Sequence, residues 1–168
     1  MAPWLRGADR ELMPNPFKLL DTPTNAPLHA ALCFDRSYAP YAAVTSHALL
    51  RHARTPVALH WLTAPEDLPF AAHCADAVRR LAPCAITLTA VDPAQFSGWK
   101  ETHHFSRAMY WRLLLPELIA ANRVLYLDAD TLAQTDLTPL YRMDLGDALL
   151  AGVTDVGGAE PSLIPRPA

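Results

Sequence analysis

From residue 27 onward, short apolar runs alternate with longer segments of helical period. "PLHAALCF" (27–34) is apolar and stops at Asp35; "PVALHWLTA" (56–64), "AITLTAV" (85–91), "RVLYL" (123–127) and "ALLAGVTDV" (148–156) repeat the theme. Runs of this length, bounded by turn residues, predict buried strands. Between the first two, residues 39–53 predict a helix with Tyr41, Val44 and Ala48 on one stripe. Residues 65–82 open on proline and acids and close on arginines, as helices do. Residues 103–121 predict a long helix in which Pro116 must bend the helix, end it or begin a second one. Residues 136–145 read as a turn with a short helix. Residues 1–26 and 157–168 carry no period and are expected to be an extension and an irregular tail, leaving 27–156 as the folded part.

Strands alternating with helices predict an α/β fold: a mostly parallel sheet with helices on both faces. Such sheets bind ligands at the carboxyl ends of their strands, especially where strand order reverses. Asp35 follows the first predicted strand, and Asp128 and Asp130 follow the fourth. Candidate chemistry therefore gathers where a nucleotide would dock.

Composition narrows the field. Of 168 residues, 51% are apolar and 18% charged, which is a folded composition with room for one core. A net charge of −3 favours neither nucleic acid nor an anionic membrane as partner. Cys33, Cys74 and Cys84 form no C-x-x-C pair and are expected to be reduced thiols of a cytoplasmic protein. Charges and prolines interrupt the N-terminal residues, so a secretory signal is not expected, and Pro116, Glu117 and Arg123 break the longest apolar stretches, so no membrane span is expected.

Two carboxylates two positions apart, Asp128 and Asp130, repel each other unless water or a cation intervenes. In extended chain, residues i and i+2 point to one side, so both could aim at one ion while Ala129 faces away. Hard oxygen ligands suit Mg²⁺ or Mn²⁺, bound through one or two carboxylates plus substrate phosphates. A solvated loop is the simpler alternative, and Asp136 reads as that kind of turn-forming Asp. If a metal binds, two chemistries are open. "DADTL" matches the D-x-D-x-T nucleophile loop of haloacid-dehalogenase-like phosphatases, although it comes late and no lysine follows Lys100. The other chemistry is glycosyl transfer from a nucleotide sugar, which requires a nucleotide site at the first strand.

There, "ALCFDRSYAPYAAV" (31–44) resembles the opening motif of glycosyltransferase family 8, close to C-x-D-D-N-Y-A-P-Y. "HFSRAMYWRLLLPELI" (104–119) resembles that family's next segment through Ser106, Tyr110 and Arg112. "RVLYLDADTL" (123–132) resembles its D-x-D strand, and residues 136–155 the stretch beyond it. The motifs stand in the family's order over roughly residues 28–156. The resemblance implies a GT-A fold, a Rossmann-like sheet binding a UDP-sugar and Mn²⁺ (or Mg²⁺), with retention at the anomeric carbon. Carried over, Asp35 would meet the uracil edge and Tyr38 would stack on or flank the base, with Cys33 and Ser37 beside them. Arg112 would reach the sugar or diphosphate as a fixed cationic fork. Asp128 and Asp130 would ligate the metal, with the Ala129 backbone near the ribose. The implied acceptor is a glycan, in bacterial members often lipopolysaccharide. No residue is singled out as catalytic. His103 and His104, with no ligand-spaced partner, are expected to be loop residues.

Two departures matter. Arg36 and Ser37 stand where the family commonly has Asp and Asn, which implies altered base recognition. No segment matches the family's later H-x-x-G-x-x-K-P-W-like motif, whose histidine completes the metal site. The chain is therefore expected to be a shortened family member with low activity alone, or one completed by a partner chain or self-association. A folded remnant serving as an interaction module is the non-enzymatic alternative.

Overall fold

The structure, a computed structural model, describes residues 26–99 and 106–152. The first apolar run forms β1 (Leu28–Cys33), followed by α1 (Ala39–His52), β2 (Val57–Thr63), α2 (Leu68–Leu81) and β3 (Ala85–Ala90). A 3-10 segment (Arg107–Leu114), α3 (Leu115–Leu118), β4 (Leu125–Tyr126) and α4 (Thr138–Tyr141) complete the order. Among the described residues the four strands are parallel and lie in the order β3-β2-β1-β4. Residues up to Arg142 belong to one compact unit and 143–152 to another. The second holds a turn at Gly146, whose N–H donates to Asp144 Oδ1 at 2.9 Å.

β1 is central, so both its faces are covered, which is why it reads as continuously apolar. Leu28, Ala30 and Leu32 pack with Leu59, Trp61, Ala71, Ala75 and Val78 against α1 and α2. Ala31 and Cys33 face the opposite way, toward Ala108, Trp111, Leu115 and Ile119. The expected two-faced α/β sheet is thus present.

Four sequence expectations change. On α1, Tyr41 and Val44 are exposed, and the packed face is Ala42, Thr45, Ser46 and Leu49. Small side chains let the helix lie close to the sheet, and the two hydroxyls find partners inside. Ser46 Oγ accepts the Trp61 indole N–H at 3.1 Å, so a buried stripe scored by polarity is missed. The long helix expected over 103–121 is instead a 3-10 segment followed by the four-residue α3, with Pro116 in its first turn. Proline cannot donate to Arg112 C=O, and the Leu115 N–H bonds that carbonyl in 3-10 fashion. Residues 103–105 of that expectation, with His103 and His104, lie outside the described residues. β4 pairs over two residues only, shorter than 123–127. Residues 148–152 of the fifth expected strand are not a strand, and Leu149 and Leu150 are exposed; 153–156 lie outside the described residues, as do residues 1–25 and the tail.

On the face opposite α1, His29 and His60 stack with centroids 5.3 Å apart and Nδ1···Nε2 at 3.0 Å. That contact needs a lone pair on one ring. Burial, and then the neighbouring His29, hold the His60 pKa below its ordinary 6.5. A folded-state pKa below the unfolded one gives a contribution that is intact above 6.5 and is lost as pH falls through the folded value. Urea midpoints are expected to drop between about pH 7.5 and about pH 5, with a smaller drop in His60→Asn. An unchanged slope in the variant would remove His60 as the cause.

Candidate functional site

The chain order runs β1, β2, β3 outward, then returns across β1 to place β4 on its other side. Strand order therefore reverses between β1 and β4, the point where open parallel sheets hold ligands. Both polar clusters anticipated in the sequence sit there, at the carboxyl ends of these two strands.

At the end of β1, Asp35 caps the 3-10 turn Arg36–Tyr38. Its Oδ1 accepts from the Ser37 N–H (3.0 Å), the Ser37 hydroxyl and the Tyr38 N–H (3.3 Å). One carboxylate oxygen serves the whole turn, and Oδ2 has no partner among the described residues. The Arg36 N–H donates to Asp67 Oδ2 at 3.0 Å, and its guanidinium lies 4.5 Å over the Phe70 ring. Asp35, Arg36, Ser37, Pro40, Asp67 and Phe70 line a shallow, open depression beside this turn. Tyr38 is exposed beside it, tilted against Tyr41.

At the end of β4, the chain does not continue extended. The Thr131 N–H and hydroxyl both donate to Asp128 C=O, at 3.2 and 2.8 Å, closing a turn over Ala129 and Asp130. The extended-chain reason for two converging carboxylates therefore does not apply. Ala129 is buried, while Asp128 and Asp130 are exposed. Tyr126 Oη–H donates to Asp128 Oδ1 at 2.8 Å. Burial first, and this hydrogen bond second, push the Tyr126 hydroxyl far above its ordinary pKa, so it remains a donor.

Arg112 joins this group. Its Nε donates to Met109 C=O at 2.6 Å, its guanidinium stacks 4.6 Å over Tyr126, and Nη2 lies 3.9 Å from Asp128 Oδ1. It is a held cation and not a free surface charge. Cys33 is buried next to the charges of Arg112 and Asp128; burial dominates and its thiol is pushed up to about 12. Held protonated by burial, this thiol presents a neutral wall to the site. Cys74 and Cys84 are likewise unpaired. Asp136 behaves as the turn former expected: burial opposes ionisation, but bonds from Thr138 outweigh it and lower its pKa.

Thus Cys33, Arg112 and Asp128 come together, as do Asp35, Ser37 and Tyr38. Among the described residues no hydrogen bond or ion pair joins the two groups. Asp67, Phe70, Tyr126 and Thr45 were not flagged by sequence; Asp67, Phe70 and Thr45 act through contacts distant in the chain, whereas Tyr126 bonds Asp128 only two residues on. Among the described residues no three His, Cys, Asp or Glu side chains form a metal cage. The donor set fits a hard divalent cation only where phosphate oxygens complete the shell.

A parallel α/β sheet with these groups at its switch point is a GT-A-type fold. Residues 29–163 match the profile of glycosyl transferase family 8, and the chain belongs to that family. The structure superposes on the galactosyltransferase LgtC, solved with donor and acceptor sugar analogues, with a TM-score of 0.62 and 30% identity, over 71% of this chain and 44% of LgtC. In sequence it is 34% identical over 83 residues to a lipopolysaccharide 1,2-glucosyltransferase of Escherichia coli, covering 48% of this chain and 25% of that protein. It is 32% identical over 73 residues to general stress protein A of Bacillus subtilis, covering 42% and 26%. The chain therefore spans less than half of LgtC and about a quarter of these two relatives. Nothing among these matches supports the phosphatase alternative.

Proposed function

We propose that this chain forms the donor side of a hexosyltransferase that takes a UDP-sugar and passes the hexose to a glycan acceptor with retention. The observation that carries this is the placement of the Asp35 turn and the Asp128 turn on the two strands flanking the topological switch. Asp35, through Oδ2, would read the uracil edge. Tyr38 would cover the base, with Ser37 and the Cys33 wall beside it and the Ala129 backbone near the ribose. Asp128 and Asp130 would hold Mn²⁺ or Mg²⁺ together with the diphosphate. Bound there, the cation offsets charge on the departing nucleoside diphosphate. Arg112, fixed by Tyr126 and Met109, would add a second positive charge on the same oxygens without having to be ordered on binding.

The relative named as a lipopolysaccharide glucosyltransferase favours a surface-glycan acceptor. Three unpaired thiols fit the cytoplasm, and no helix among the described residues is long and apolar enough to cross a membrane. With two carboxylates as the described metal donors, the 168-residue chain alone is expected to turn over acceptor slowly unless a partner or a second copy completes the site.

Thermal unfolding with UDP, with Mn²⁺ and with both tests the reading. Ligand at about 100 times its Kd adds about 2.7 kcal/mol, a shift of a few degrees at this size. A shift that needs both components is the expected result. No shift with both would overturn the assignment of a donor site to this chain.

A further inference from the structure

Thr45 stands just past the first family motif, mid-way along α1, and is essentially inaccessible to solvent. Mid-helix threonines commonly turn back onto a carbonyl of their own helix. Here Oγ1 leaves the helix and lies 2.7 Å from Ala129 C=O and 2.6 Å from Thr131 C=O. These carbonyls belong to the residues on either side of Asp130. A hydroxyl has one proton, so the two oxygens share it, and both peptides are drawn to one point on α1.

We propose that Thr45 is a positioning residue for the metal-side turn, setting the backbone that presents Asp128 and Asp130. This rests on the donor-site reading above. Three features point the same way. Like-charged neighbours push the turn open, so an exposed loop with two adjacent carboxylates needs an anchor. Tyr126 and Arg112 act on Asp128, whereas Asp130 has no side-chain partner among the described residues, so its placement depends on its backbone. Finally, α1 begins at the Asp35 turn, so the same rigid helix carries one cluster at its start and grips the other at mid-length. Thr45 thereby fixes the spacing between the groups that would meet the base and those that would meet the diphosphate.

The test compares the wild-type chain with Thr45→Val, which keeps shape and removes the donor, and Thr45→Ser, which keeps the donor. Mn²⁺ binding in the presence of UDP is followed by the electron paramagnetic resonance signal of free Mn²⁺, and ligand-free unfolding is recorded for each protein. Thr45→Val is expected to bind Mn²⁺ about 10- to 100-fold more weakly, the usual range for losing a group that orients a metal ligand. Its affinity for UDP without metal should be unchanged, and Thr45→Ser should restore Mn²⁺ binding. Equal Mn²⁺ binding by Thr45→Val overturns the proposal, as does a Thr45→Ser variant that folds but binds as weakly as Thr45→Val. Should Thr45→Val not fold, Thr45→Ala replaces it with the same two outcomes. Wild-type protein that binds no Mn²⁺ with UDP would instead refute the donor-site reading, and this inference with it.

Discussion

The Asp128→Asn variant is expected to lose the manganese-dependent part of UDP binding while its ligand-free unfolding stays where it was. The substitution is close to isosteric, and an amide Oδ1 can still accept the Tyr126 hydroxyl that holds this side chain at 2.8 Å. Arg112 keeps its bond to Met109 and its stack on Tyr126, neither of which depends on Asp128. What disappears is the negative charge and with it half of the described carboxylate set. Loss of a direct ligand should exceed the roughly 100-fold upper range seen when orienting groups are removed. The stabilisation given by UDP plus Mn²⁺ is then expected to collapse to that of UDP alone. Relief of repulsion with Asp130 offsets the weakened 3.9 Å contact with Arg112, so the unliganded midpoint is expected to stay where it was. Calorimetric titration of UDP with and without Mn²⁺ checks this; retained metal dependence would show that the Asp128 carboxylate is not a ligand.

The largest stability effect is expected at Trp61. This side chain is fully buried at the centre of β2, edge-on to Phe34 with centroids 5.2 Å apart, and its indole N–H bonds Ser46 on α1. Trp61→Ala removes the largest side chain among the fully buried ones, leaves a cavity between sheet and helix, and strands the Ser46 hydroxyl. Such truncations cost about 3–5 kcal/mol, and an unpaired buried hydroxyl adds about 1–3 kcal/mol. Domains hold only about 5–15 kcal/mol in all. Urea denaturation followed by circular dichroism should show a midpoint near zero denaturant, or no cooperative transition. Trp61→Phe keeps most of the volume and should lose less than half as much. A loss under about 2 kcal/mol for Trp61→Ala would mean the core closes over the gap.

The sheet was legible because parallel strands buried on both faces must be apolar throughout, and β1, β2 and β3 fall within a residue or two of their apolar runs. The strand-end positions of Asp35 and Asp128 were legible because each closely follows an apolar run, although extended chain and not a turn was expected at Asp128. Three things were not. The packed face of α1 is built from alanine, threonine and serine, whose burial depends on partners that come from β2 and the turn after β4. The 3-10 course of Arg107–Leu114 was hidden because its buried residues, Ala108 and Trp111, and Leu115 at the start of α3 are spaced three and four apart, a spacing an α-helix shares. Asp67 and Phe70 complete the open depression from the start of α2, and residues that only tertiary contact unites leave no local spacing to read.

The two-residue pairing of β4 has a kinetic consequence. β1 meets β2 about thirty residues along the chain but meets β4 nearly a hundred residues along, so loop closure makes that second pairing the costlier one. A ribosome would have released β1, both flanking helices and β3 well before the Asp128 turn exists. Folding is therefore expected to begin in the β1-β2-β3 half, with the Asp128 turn docking last through the β1-β4 pairing, the Leu127 N–H bond to Ala31 C=O, the Thr45 hydroxyl and the buried Ala129. Elements that arrive late with few bonds are also the first to open in the native state. The proposed donor site would thus include a late-docking segment of the sheet, and bound donor would help to hold that segment closed.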